Sequence, residues 1–63
     1  MSQSTRILTH LRRGPITPLQ ALDKYGCLRL AARINDLRDR GHKIETEIVK
    51  AGDKRYARYR LKA

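Results

Sequence analysis

The chain has 63 residues and carries 15 Lys+Arg against 6 Asp+Glu, a formal charge of +9, which allows one small domain and excludes a cleft carved from a large core. Such an excess of positive charge points to a polyanionic partner. An apolar fraction of 40%, largely aliphatic and without Phe or Trp, is too high for a disordered basic tail.

Residues 4–13 are expected to form a first helix. Ile7, Leu8 and Leu11 make one apolar stripe, Ser4 is a candidate N-cap, and Gly14-Pro15 ends the run. Arg12 and Arg13 fall in the last turn, where cations suit the helix dipole. The next start signal is stronger. Thr17-Pro18-Leu19-Gln20 combines a Thr N-cap, Pro at the first helical position and Gln at N3, a capping box. Helix two therefore spans 18–25, with Leu19 and Leu22 on its inner face and Ile16 stapled to Ala21. A turn at Tyr25-Gly26-Cys27 leads into helix three over 28–40, where Leu30, Ile34 and Leu37 recur at core spacing and Gly41 is the stop.

Beyond Gly41 the period changes from helical to alternating. Ile44, Thr46 and Ile48 alternate with Glu45, Glu47 and Val49, and a second run places Ala57, Tyr59 and Leu61 opposite Tyr56, Arg58 and Arg60. The tetrad Ala51-Gly52-Asp53-Lys54 is turn-forming, so strands at 43–50 and 55–61 make an antiparallel hairpin. The fold class is α+β, three helices with a C-terminal two-stranded hairpin, in a single domain over 4–62.

Helix, helix-turn-helix, hairpin is the order of a winged helix-turn-helix, whose third helix fits the major groove of B-DNA. On the face of helix three opposite its core stripe, Arg29 and Arg33 are the leading base readers, since Arg pairs with guanine O6 and N7. Ala32 between them suits a thymine methyl. Asp36 is an orienter of Arg33, and the plain alternative is a solvated face with Arg33 and Asp36 paired at i+3. Thr17, at the start of the helix that crosses the backbone, is a further contact candidate. Residues 50–63 carry +5, and Lys50, Lys54 and Arg55 flank the hairpin tip as phosphate candidates. With five or six phosphates neutralised, the salt slope would lie near about −5. The same charges would also protect an edge strand from aggregation.

Several of these residues carry a family resemblance. Ile16-Thr17-Pro18-Leu19-Gln20-Ala21-Leu22, Tyr25-Gly26, Arg29-Leu30-Ala31-Ala32-Arg33-Ile34, Asp36-Leu37-Arg38, Gly41-His42, Ile44 and Tyr56-Ala57-Arg58-Tyr59-Arg60-Leu61 resemble short winged helix-turn-helix proteins found largely in phages and prophages. The resemblance covers most of residues 6–61. It implies DNA binding in a bacterial or phage cytosol. The expected role is sequence-specific binding of double-stranded DNA, on the nucleoid when bound, by a small phage or prophage transcriptional regulator or a recombination directionality factor. In one respect the chain departs from the general helix-turn-helix pattern: Ala21 precedes Gly26 by five residues where four are expected, which leaves the contact register open by one residue.

One such module covers a short site, so a homodimer or a cooperative array on DNA is expected. Other partner classes are an RNA, or a host protein gripped by the winged-helix surface. No cofactor or metal is expected: Cys27 is the single cysteine, and with only His10 and His42 beside it the chain lacks the ligands of a structural zinc. Cys27 itself reads as a small half-buried residue. No enzymatic activity is expected, because Ser, Cys and His stand in no nucleophile motif and no glycine-rich phosphate loop is present. No membrane contact is expected either. Uncharged stretches such as 14–22 are far below the ~20 apolar residues of a span, and Arg6, Arg12 and Arg13 interrupt any signal-like run.

Overall fold

The computed structural model describes residues 2–62, in the order α1 (Gln3–Arg13), α2 (Pro18–Tyr25), α3 (Leu30–Asp39), β1 (Ile44–Ala51) and β2 (Lys54–Leu61). The three helices pack around Ile7, Leu11, Ile16, Ala21, Cys27, Leu30, Ile34, Leu37 and Ile44. Leu8, Tyr25, Tyr59 and Leu61 close the rim of this core.

Ser2, not Ser4, caps α1. Its Oγ accepts from the Thr5 backbone N–H at 3.2 Å. Ser4 lies inside the helix and is buried, three residues before Ile7 and so on the same stripe. Either serine could cap; the earlier start leaves the small Ser4 at the packed end of that stripe. At the far end, His10 ties α1 to Pro15 and to α2. Its Nε2 stands 3.1 Å from the Pro15 carbonyl and its Nδ1 2.9 Å from the Tyr25 hydroxyl. A carbonyl can only accept, so Nε2 carries the proton, and in the neutral ring the Tyr25 O–H donates to Nδ1.

The capping box of α2 forms as its sequence predicts. Gln20 N–H donates to Thr17 Oγ1 at 3.2 Å, and Thr17 N–H donates to Gln20 Oε1 at 3.1 Å. The inner face of α2 differs from expectation. Leu19 is 75% exposed and Leu22 43%, whereas Ala21 is fully buried and Tyr25 packs beside it. A two-turn helix has too few residues for periodicity to choose its buried side. With Ile16 and Cys27 filling the space at either end, the small Ala21 lets the backbone of α2 approach the core closely. Gly26, at φ 61°, then reverses the chain. Gly26 N–H donates to Leu22 O at 3.0 Å, the 5→1 bond of an αL cap, and Cys27 N–H reaches back to Ala21 O at 3.1 Å. Only glycine takes this left-handed conformation without a Cβ penalty.

The connection to α3 covers 26–29, longer than the expected turn at 25–27, and α3 starts at Leu30 instead of residue 28. Cys27 dips into the core at 2% exposure, more deeply than expected. Leu28 swings out to 83%, and Arg29 caps the helix without a side-chain bond. The chain must cross from the buried end of α2 to the start of α3, and 28–29 are used for that crossing.

β1 and β2 pair antiparallel from Ile44↔Leu61 to Ala51↔Lys54. Gly52, at φ 62°, is the only positive-φ residue of the tip, the pattern of a type II′ hairpin turn. A third, short piece of sheet joins on the far side of β2: Ile16 and Tyr59 exchange two backbone hydrogen bonds of 2.9 and 2.8 Å. This bridge fastens the root of the hairpin to the segment that enters α2.

Candidate nucleic-acid interface

α3 keeps one side open to solvent. Its buried side is Leu30, Ile34 and Leu37, and its exposed residues are Ala31, Asn35, Arg38 and Asp39. Of these, Arg38 reaches the hairpin. Arg33, expected to project from the outer face, is only 34% exposed in its side chain, with Nε 3.2 Å from Asp36 Oδ2. That Nε is buried and makes no aligned hydrogen bond, so the contact is an ion pair and no more. Ala32 and Asp36 are half-buried beside it. At 100° per residue, Arg33 stands only about 70° from the centre of the core stripe, which explains its partial burial. Arg29, one residue ahead of the helix, is exposed and has no acidic partner among the described residues.

Arg38 was not singled out by sequence reasoning, yet it sets the relation between helix and hairpin. Its Nε and Nη2 both donate to the Ile44 carbonyl, at 3.1 and 2.7 Å, and Nη2 donates to Thr46 Oγ1 at 3.0 Å. The first residues of β1 are thereby held against the last turn of α3. An Arg near a helix C-terminus reads as a dipole partner, and nothing local announces an acceptor six residues away. Asn35 was also missed, although helical angles place it about 130° from the core centre.

The hairpin is not uniformly basic. Expected as a positive turn and second strand, it divides into a root whose strand cations are ion-paired and a tip whose cations are not. At the root Arg58 donates to Glu47 Oε2 from Nη2 at 2.7 Å and from Nε at 3.2 Å. Arg60 Nη2 lies 3.2 Å from Glu47 and 3.9 Å from Glu45, and Lys62 Nζ lies 3.7 Å from Glu45. Glu47↔Arg58 and Glu45↔Arg60 are direct cross-strand neighbours, where opposite charges attract most. Lys50, Lys54 and Arg55 at the tip are exposed and in no ion pair among the described residues. The hairpin cations left free to meet an outside anion therefore include the three at its end.

The Arg58 hydrogen bond, helped by the charges of Arg60 and Arg58 and opposed by partial burial, holds the Glu47 carboxyl below the ordinary glutamate range. A lowered carboxylate pKa favours the folded hairpin at pH above about 4.3, and that contribution is lost as pH falls through the lower folded-state value. An NMR titration of the Glu47 side-chain carboxyl should show this depression, and Arg58→Ala should largely abolish it. An unchanged midpoint in the variant would show that the pair carries no weight.

Thr17 is half-buried, and its Oγ1 accepts from Gln20, which leaves the hydroxyl proton for an outside acceptor. With Pro18, Leu19, Gln20 and Tyr56 it lines a shallow, largely apolar groove of about 450 Å³ between the start of α2 and the hairpin. No group of His, Cys, Asp and Glu among the described residues could hold a metal ion. No helix there is long and apolar enough to cross a membrane.

A family model described as a winged helix-turn-helix domain matches residues 2–63. No curated protein and no solved structure matches the chain.

Proposed function

The chain belongs to the family of winged helix-turn-helix domains, and from that premise we propose that it binds double-stranded DNA sequence-specifically, α3 entering the major groove while the hairpin tip lies along the phosphates. The observation that carries this reading is the division of labour between α3 and the hairpin. α3 offers an open ridge of short side chains, Arg38 locks the hairpin beside it, and within β1 and β2 the cations outside ion pairs are those at the tip. A ridge of Ala31, Asn35 and Asp39 permits close approach to base edges. Lys50, Lys54 and Arg55 supply the sequence-independent attraction to phosphate.

Within this arrangement Arg29 reads a guanine from the start of α3, and Thr17 donates to a phosphate at the start of α2. Arg33, held by Asp36, reaches the groove edge from the flank, and Ala32 meets a thymine methyl. The biological role is that of a small phage or prophage transcriptional regulator or a recombination directionality factor, acting in a bacterial cytosol as a homodimer or cooperative array. The shortness of a one-module site favours such assembly.

Selection of bound duplexes from a random library, followed by anisotropy titrations at several salt concentrations, tests the proposal. A recurrent motif and a steep salt slope are expected. Arg29→Ala should cost about 1 to 3 kcal/mol on the selected site and relax one position of it. No enrichment over the starting library, or stronger binding to structured RNA than to any duplex, would refute it.

A second reading draws on the groove of Pro18, Leu19 and Tyr56: an adaptor that grips a host protein through this face. Capture of one host protein that survives nuclease and moderate salt, and is lost in Leu19→Asp, would favour it.

A further inference from the structure

We infer that Asn35 reads an adenine and so fixes one A·T position of the binding site, an inference that rests on α3 entering the major groove. Asn35 lies on the open ridge of α3, one turn beyond Ala31, with its side chain exposed. The chemistry of its neighbours singles it out. Arg38, on the same ridge, has Nε and Nη2 engaged by the Ile44 carbonyl and Thr46. Arg33 is half-buried against Asp36. Asp39 is an acceptor only, and its charge is repelled by phosphate. Ala31 and Ala32 have no polar atoms.

Asn35 alone on the ridge offers a donor and an acceptor together, and neither is engaged by another described residue. That pair is the complement of adenine, whose major-groove edge presents N6–H2 as donor and N7 as acceptor. Guanine offers two acceptors there, so the amide oxygen would face a lone pair. The small Ala31 one turn earlier lets the helix approach closely enough for a short side chain to reach the base, and its methyl group suits an adjacent thymine methyl. The fold itself has no need of asparagine at this place. It is a weak helix former in the middle of a ten-residue helix, and it is exposed there.

The test compares the wild-type chain with Asn35→Ala, first in duplex selection from a random library and then by anisotropy on the wild-type motif. In a second series the selected adenine is replaced by 7-deazaadenine, which removes N7 and leaves Watson–Crick pairing intact. The wild-type protein is expected to select adenine at one position and to lose about 10-fold in affinity on the deaza duplex. Asn35→Ala should bind both duplexes alike and accept any base at that position. Its salt slope should match that of the wild type, since no phosphate contact is touched, and its thermal transition should be no lower, since Ala is the better helix former. An unchanged preference in a variant that still binds DNA would overturn the role of Asn35 alone. Absence of duplex binding by the wild type would overturn this inference together with the DNA-binding reading.

Discussion

Replacing Lys50, Lys54 and Arg55 together by alanine is expected to weaken duplex binding on the order of 100-fold at about 0.15 M salt, for cognate and random sequences alike. Each neutralised phosphate contributes about 0.9 to the slope of log affinity against log salt, so three contacts together should reduce it by about 2.7. The expected loss follows from the charge arrangement and not from the count of basic residues. These three cations have no acidic partner among the described residues, whereas Arg58, Arg60 and Lys62 are held by Glu45 and Glu47. An Arg60→Ala variant, with the same formal change per residue, should move the slope by less, because its charge is already met inside the hairpin. Equal slopes for wild type and triple variant would remove the tip from the interface. An Arg60→Ala effect as large as one third of the triple variant's would show that the root pairs open on binding.

The largest expected effect on stability belongs to Ile34→Ala. Ile34 is fully buried on the inner side of α3, in the one cluster that joins all three helices to the start of β1. Truncating a buried isoleucine loses both its transfer free energy and the packing around the cavity left behind, typically about 2 to 5 kcal/mol. A domain of this size is at the low end of the usual stability range of about 5 to 15 kcal/mol, so the variant should be largely unfolded under mild denaturant. Urea titration followed by circular dichroism measures the shift. Leu28→Ala is the matched control: with most of its surface already in water, its loss should change stability by about 0.5 kcal/mol or less. A Leu28 variant as damaged as the Ile34 variant would contradict the outward position of Leu28. The same comparison can be made with Leu19, which sequence periodicity alone assigned to the core.

That assignment shows where local patterning stops being sufficient. The stripe of Ile7 and Leu11, the Thr17 capping box, the glycine after α2, the triplet Leu30, Ile34 and Leu37 and the alternation in both strands were all legible along the chain. Each expresses an interaction between residues a few positions apart, whose geometry is set by helix pitch, strand pleat or cap hydrogen bonds. The order and type of the elements, and the basic character of the surface, follow from such local terms. The buried side of α2 does not, because in two turns Ala21 with Tyr25 and Leu19 with Leu22 are both acceptable stripes. Contact with Ile16 and Cys27 decides between them. Nor does the division of the hairpin into paired root and free tip, which depends on a cross-strand register that brings Glu47 to Arg58 and leaves Lys50 opposite Arg55. Arg38 reaching Ile44 and the bridge from Ile16 to Tyr59 are likewise products of assembly. Length and charge thus marked this chain as a small binder of polyanions. Which cations remain free to meet one, and which ridge of α3 is open beside them, was settled when distant segments came into contact and took up each other's hydrogen bonds and charges.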